Sequence, residues 1–325
     1  MMTGIGVVVI GRNEGARLER CLDSLAGAAD QVVYVDSGST DGSVQMAQAR
    51  GIEVLALDMT QPFTAARARN EGFACLHRVM PSVRYVQFVD GDCEVVAGWL
   101  SAAQAFLDQH PEVAVVCGRR RERFPTHSIY NQLCDLEWDT PVGQAKACGG
   151  DALMRADAFV QAAGYRADLI AGEEPELCVR LRAQGWKIWR LDAEMTLHDA
   201  AMTRFSQWWR RSLRGGYAFA EGAFLHGAAP ERHWLRESRR AWVWGLGIPL
   251  ATLLACTVFG WGGLLLLLVY PLQVVRLMRR GRGSLQQNGL QAGFLVLGKF
   301  PEMCGQVKFL LKRFGVGKSM LIEYK

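Results

Sequence analysis

Hydrophobic and polar positions along the first part of the chain follow two alternating periods, short β-branched runs and longer helical patterns. Residues 5–10, 31–36, 52–57, 83–90 and 113–118 read as strands, and residues 14–26, 41–50, 64–79 and 98–109 as helices. This alternation predicts an α/β fold, a Rossmann-like, mostly parallel sheet with helices on both faces. Such sheets bind ligands beyond the carboxyl ends of their strands. That edge is where the sequence puts Asn13, Glu14, Asp36, Asp90 and Asp92. After Phe124 the pattern loosens through Leu136-Glu137-Trp138-Asp139 and residues 146–154. It recovers in a helix opening at Glu173 and a strand-like run at 187–191.

The later part of the chain is patterned differently. Residues 241–275, 35 positions, contain no charge, and are bounded by Arg236, Arg239 and Arg240 before and by Arg276, Arg279, Arg280 and Arg282 after. One straight helix of that length would measure about 50 Å against a hydrocarbon core of roughly 30 Å. Phe259-Gly260-Trp261-Gly262-Gly263 interrupts the run near its middle, so a helical hairpin or a re-entrant pair is expected, with both arginine-rich ends on the cytoplasmic side. A buried soluble helix pair is the alternative. Residues 290–317 mix Phe and Leu with Lys299, Lys308, Lys312 and Arg313. They read as a basic amphipathic helix on anionic headgroups, or as a helix packed on its own domain.

Charge divides along the same line. Through His198 there are 19 Lys and Arg against 26 Asp and Glu, a net of −7; from Asp199 onward 18 against 6 give +12. Basic residues flanking long apolar segments point to an anionic membrane surface rather than to nucleic acid. With 325 residues, half of them hydrophobic, the chain has ample core for a large folded domain, which excludes a disordered protein. Its nine cysteines are scattered without a C-x-x-C pair, which argues against a disulfide framework or a zinc ribbon and for a reducing, cytosolic setting. The start lacks a basic n-region, and its apolar run is short for a signal peptide, so it is expected to be the first strand.

The chemistry concentrates where the run Tyr85-Val86-Gln87-Phe88-Val89 ends in Asp90-Gly91-Asp92. Gly91 permits close backbone approach to a ligand, and hard carboxylate oxygens suit a divalent cation shared with phosphates. Asp36 ends a strand too, where its carboxylate either accepts an imide N–H from a base or organises a turn. Ser39, Thr40 and Asp41 precede a helix and read as N-caps. Glu14 opens the first helix, where the dipole favours an anion.

Four motifs in order, Val7-Val8-Val9-Ile10-Gly11-Arg12-Asn13-Glu14, Val35-Asp36-Ser37-Gly38-Ser39-Thr40-Asp41-Gly42-Ser43, Ala68-Arg69-Asn70-Glu71-Gly72 and Asp90-Gly91-Asp92, resemble the inverting family 2 glycosyltransferases over about residues 5–220. The resemblance implies a GT-A fold, a nucleotide-sugar donor and Mg²⁺ or Mn²⁺. It implies base recognition by Asp36, nucleoside or diphosphate contacts from Glu14 and Arg69, and Asp92 as principal metal ligand. Asp90 then lies near the ribose or reaches the metal through water, with His198 a possible third ligand. Ala171-Gly172-Glu173-Glu174 resembles the family's acid pair, whose second member is the general base; here that position is Glu174, a Glu in place of the family's Asp. Inversion needs such a carboxylate beside the acceptor hydroxyl. Because a helix start stabilises the ionised form, a strongly raised Glu174 pKa is not expected unless burial opposes it. Gln207, Trp208, Trp209 and Arg210 partly resemble the Q-x-x-R-W signature of processive synthases, with Arg211 in place of the final Trp. Together with Glu173 they are candidates for acceptor or phosphate contacts, or the tryptophans are membrane-interface anchors.

The expected organisation is a catalytic domain at 1–225, with 1–120 the nucleotide half and 121–225 the acceptor half. A basic linker at 226–240, the apolar pair at 241–275 and a basic amphipathic tail at 276–325 follow. The expected activity is transfer from a UDP-sugar to a lipid-linked saccharide at the cytoplasmic face of the inner membrane, in envelope or exopolysaccharide assembly. Transfer to polyprenyl phosphate and a non-catalytic nucleotide-sugar-binding scaffold are the alternatives.

Overall fold

The structure, a computed structural model, describes residues 4–315. The parts of the expected first strand and basic tail at 1–3 and 316–325 lie outside the described residues. The chain begins with β1 (Ile5–Gly11), α1 (Ala16–Leu25), β2 (Gln31–Asp36), α2 (Ser43–Ala49), β3 (Glu53–Ala56), α3 (Ala65–Val79) and β4 (Tyr85–Asp90). It continues with β5 (Cys93–Val95), α4 (Trp99–Gln109), β6 (Val113–Glu122), α5 (Ile129–Glu137), β7 (Gly143–Ala145), β8 (Ala152–Arg155), α6 (Ala156–Gln161), α7 (Glu173–Ala183) and β9 (Lys187–His198). Thereafter it is helical: α8 (Phe205–His226), α9 (Leu235–Trp242), α10 (Ile248–Phe259), α11 (Val269–Met278), α12 (Leu285–Leu297) and α13 (Lys299–Arg313). Two compact units result, one from Met1–Pro125 with Glu137–Ala200, the other from Thr126–Leu136 with Ala201–Lys325.

The first unit is built on a nine-stranded sheet ordered β3-β2-β1-β4-β8-β6-β9-β5, with β7 on β9. β3, β2, β1 and β4 are mutually parallel, as β-α alternation requires. From β8 the sheet is mixed: β8 runs antiparallel to both β4 and β6, and β5 and β7 antiparallel to β9. Val7, Val8, Val9, Val33, Val35, Phe88 and Val89 are buried, so both faces of the parallel strands are covered, in line with their continuous β-branched sequence. A Cβ on Gly72 of α3 would stand 2.5 Å from Val8 and 2.7 Å from Val35. Glycine there seats α3 directly on β1 and β2. On the same helix Asn70 accepts from Tyr165 N–H at 2.9 Å and donates to Tyr165 C=O at 2.7 Å, which pins the segment leading into α7.

In the second unit α8 and α13 approach until almost no side chain separates them. A Cβ on Gly216 would meet Glu302 O at 2.0 Å, and one on Gly305 would meet Leu213 O at 2.0 Å. Phe309 of α13 packs edge-on against Tyr217 at 5.5 Å. The basic helix α13 therefore packs on its own unit by one face, while Leu310, Leu311 and Phe314 stay exposed. Helical geometry continues from Leu235 to Met278, the one candidate membrane segment by length and composition among the described residues. It is not straight. After α10 the backbone turns at Gly260, φ 57°, into a 3₁₀ stretch, Gly260–Leu268. A Cβ on Gly263 would stand 2.4 Å from Cys256 N, so the second arm lies against the first.

Candidate active site

Sheet register assembles the acids. Ile10 pairs with Asp90 and Gly11 with Asp36, so two strand ends place both carboxylates on one edge. The Asp36 carboxylate accepts from Tyr34 Oη and from the N–H groups of Gly38 and Ser39, each at 2.9 Å. It organises its turn and, with about four lone-pair positions on an ionised carboxylate, retains acceptor capacity for a further N–H. Gly42, φ 85°, holds the N-cap position of α2, but Asp41 still serves the helix start, accepting from Ser43 N–H at 3.1 Å and Ser43 Oγ at 2.6 Å; Ser39 and Thr40 serve otherwise. Ser39 Oγ accepts from Asn13 N–H, Asn13 Oδ1 from Thr40 N–H, and Asp41 from Gly15 N–H. These bonds clasp the β1 and β2 loops together. Glu14 pairs with Arg17 at 2.7 Å, and its Cγ lies 3.4 Å from where a Cβ on Gly91 would stand. It sits beneath the Asp90-Gly91-Asp92 turn, ahead of the helix, which starts at Ala16.

Asp90 is gripped from both sides. Arg69 donates to Oδ1 at 2.7 Å and Arg120 to Oδ2 at 3.2 Å. Burial opposes its ionisation, but the two guanidinium groups outweigh this and hold its carboxyl below the ordinary range. Arg69 is itself only 3% exposed and bonds Glu173 at 2.8 Å, with Glu174 at 3.5 Å. Far from facing solvent, as an isolated helix arginine does, it joins three carboxylates. Arg120 also reaches Asp151 at 3.3 Å and lies 5.0 Å over the Trp138 ring. Asp151, fully buried, accepts from Asp90 N–H and from Thr196 Oγ1.

His198 arrives from β9. It lies opposite Cys93 of β5 on one side and Glu122 of β6 on the other, with Nε2 3.4 Å from Asp92 and Nδ1 3.7 Å from Glu122. Trp138 packs edge-on against it at 4.8 Å. Burial opposes a charge on the imidazole, yet Asp92 above all holds its pKa above the usual value. Ligand atoms of Asp92, Cys93 and His198 lie within 4.8 Å of one another. A buried carboxylate and an imidazole nitrogen fit a divalent cation, and the second imidazole nitrogen faces Glu122, the usual outer partner of a metal-binding His. Burial pushes the Cys93 thiol up, so it stays protonated beside them. Asp90, Cys93 and Asp151 also cluster, but the Arg120 guanidinium among them already supplies the positive charge.

Glu174 converges on the same place. A Cβ on Gly150 would meet Arg69 Nη2 at 2.8 Å, Asp90 Oδ2 at 3.0 Å and Glu174 Oε1 at 3.2 Å. Only a bare Cα fits between these groups. Burial, then Glu173 alongside, pushes Glu174 up to about 7; burial thus overrides the helix-start effect. Its side chain keeps 15% exposure, enough to meet an incoming group.

The remaining candidates belong to the second unit. Gln207 closes the start of α8 by accepting from the N–H groups of Thr203 and Arg204. Trp208 is buried, 4.9 Å edge-on from Phe294, Trp209 is half-buried and Arg210 exposed. Gln207 and Trp208 thus have structural partners. Sequence reading missed Arg120, Glu122 and Asp151. The first two lie in Arg119-Arg120-Arg121-Glu122, which reads as a surface charge run, yet β6 extends through it, with register shifts on either side of Arg119, and both Arg119 and Glu122 end up buried.

The model of glycosyl transferase family 2 matches residues 6–158. An uncharacterised glycosyltransferase of Rickettsia bellii is 43% identical over 51 residues, 16% of this chain and 17% of that one. The curated relatives are matched over a third of their length or less. Among solved structures, the mannosyltransferase PcManGT of Pyrobaculum calidifontis, in complex with GDP-Man and Mn²⁺, superposes with TM-score 0.64 at 18% identity, covering 95% of this chain and 87% of that one. S. aureus TarS 1–349 does so with TM-score 0.53 at 14% identity, covering 97% and 92%. The nine-stranded α/β sheet and these superpositions give the chain a GT-A-like fold, and residues 6–158 are similar to glycosyl transferase family 2.

Proposed function

We propose that the protein is an inverting transferase that moves one sugar from a nucleoside diphosphate donor, UDP-linked, to a lipid-linked saccharide at the cytoplasmic face of the inner membrane. The observation that carries it is the convergence of Asp90, Arg69 and Glu174 on the bare backbone of Gly150. Glu174, held near pH 7, takes the acceptor hydroxyl proton as that oxygen bonds the anomeric carbon and the diphosphate departs from the opposite side. Arg69 fixes Glu173, Glu174 and Asp90 relative to one another. Asp92 and His198 would hold Mg²⁺ or Mn²⁺, whose Lewis-acid contribution is to neutralise charge on the departing diphosphate. Asp36, at the neighbouring strand end, takes the base N–H, and Glu14 supports the turn beneath the ribose.

The acidic first stretch and basic, apolar remainder support a membrane setting, with the catalytic domain assigned to 1–225. The test is purified protein assayed with a panel of UDP- and GDP-sugars, with and without Mn²⁺. Wild type should show metal-dependent transfer to lipid-linked saccharide, and Glu174→Gln should lose it. Full transfer by Glu174→Gln would overturn the base assignment, and would favour polyprenyl phosphate, an acceptor already ionised.

A further inference from the structure

We infer that Ile248–Leu268 is a one-leaflet insertion loop, a hairpin that enters an anionic lipid bilayer from one face and returns to it without crossing. The inference rests on the membrane setting proposed above and adds topology and depth to it. At its base the hairpin is fixed to its own unit. Tyr270 Oη donates to Trp244 C=O at 2.6 Å, and the Tyr270 ring packs 5.7 Å from Phe300. A Cβ on Gly245 would meet Lys299 O at 2.5 Å. These contacts bury Gly245 and half-bury Trp244 and Tyr270, tying both arms to their own unit at that level.

Beyond the base each arm is short. α10 has 12 residues and the returning 3₁₀ arm nine, so each reaches about 18 Å at roughly 1.5 and 2.0 Å per residue. That is close to one leaflet of a core roughly 30 Å thick, and well short of two. The surface is apolar throughout: Leu253, Leu254, Val258, Phe259, Leu265 and Leu268 are exposed, and Trp261 at the turn is 88% exposed. Two groups bearing hydroxyls on α10 are satisfied internally, Thr252 donating to Ile248 C=O and Thr257 to Leu254 C=O. Nothing polar in the arms therefore opposes transfer into hydrocarbon.

Charge selects lipid over a second copy of the chain. Residues 236–282 carry seven arginines, all exposed, and one acid, Glu237. They flank the hairpin at both of its ends, so both ends favour the same anionic surface. Two copies paired through this hairpin would bring fourteen guanidinium groups, seven from each chain, together against two acids, and like charges oppose that pairing.

The test uses the full chain with vesicles of phosphatidylcholine and phosphatidylglycerol. The chain should float with the vesicles, and Leu253→Asp/Leu254→Asp should reduce the floated fraction by at least about tenfold, with its far-UV spectrum and melting temperature kept. A fluorophore on Trp261→Cys, in a background with the half-buried Cys148, Cys256 and Cys304 replaced by Ser, should be quenched most by lipids spin-labelled near the bilayer midplane. It should also be inaccessible to impermeant reagents on either side, whereas Arg236→Cys and Arg282→Cys should both react from outside. Reaction of Trp261→Cys from the vesicle lumen would overturn the inference in favour of full crossing. Failure to float would overturn it too, whether the chain is then a monomer or a dimer. Flotation reads the hairpin alone, and acceptor preference in the transfer assay reads the lipid-linked acceptor alone, so either can fail without the other.

Discussion

The two units break the ordinary partition between water and protein in opposite ways. The first buries charge: Arg69, Asp92, Asp151, Glu173 and His198 are nearly or fully hidden, yet each has a partner of opposite or complementary character. The second exposes hydrocarbon, with Leu253, Leu254, Phe259 and Trp261 open to water. Each arrangement costs free energy in an isolated soluble protein. Buried ions are tolerated where the network is complete, and an apolar surface where something apolar covers it. The same departures from ordinary partition are what a catalytic site and a membrane contact require.

The largest expected effect comes from breaking the buried network. Arg69→Met strands Glu173 and leaves Asp90 with Arg120 alone, and should cost about 3–5 kcal/mol in urea unfolding. Adding Glu173→Gln should recover part of that loss. Without recovery, the charges are not coupled as described. Comparable in size but read in turnover, Glu174→Gln should lower kcat by about 10²- to 10⁴-fold. Wild-type activity should rise with pH through about 7, since the base works only after losing its proton. The sign for stability is opposite. A carboxyl whose folded pKa is raised favours the fold while protonated, so its contribution is full below the ordinary Glu range and is lost as pH rises through about 7. A turnover profile flat from pH 6 to about 8 would count against this role.

Glu122→Gln should weaken Mn²⁺ binding by about 10- to 100-fold in calorimetric titration, because the imidazole of His198 loses its outer partner. Gly305→Ala should cost about 1–3 kcal/mol, since its Cβ meets backbone rather than a side chain that can move. Smallest of all, Trp261→Ser should change soluble stability by no more than about 0.5 kcal/mol while weakening vesicle binding. Both lie in the second unit, and the contrast separates its packed helices from its exposed hairpin: substitution in one is felt by the fold, and in the other by what the fold touches.

The residues differ in how early they declare themselves. Asp36 and Asp90 end strands whose apolar runs are visible, with Asp92 in the turn just after, and adjacent parallel strands bring such ends together without further information. Glu174 stands at a helix start marked by Gly172 and Pro175. His198 was locatable only as a residue near a strand; its place between Cys93 and Glu122 needed the β5, β6 and β9 registers. Arg120 and Asp151 gave no local signal, because a charged residue in an extended run looks alike whether its strand ends in water or continues into a sheet.

The sequence by itself determined the β-α alternation, the acidic strand ends, the charge split and the uncharged run with its glycine interruption. These follow from periodicity and composition, which act over a few residues. Only the tertiary structure decided the mixed half of the sheet, the pairing of Arg69 and Arg120 around Asp90, the raised pKa of Glu174 and the depth of the hairpin beyond its base. Each depends on which distant segments exclude water from which groups, and a linear pattern does not carry that.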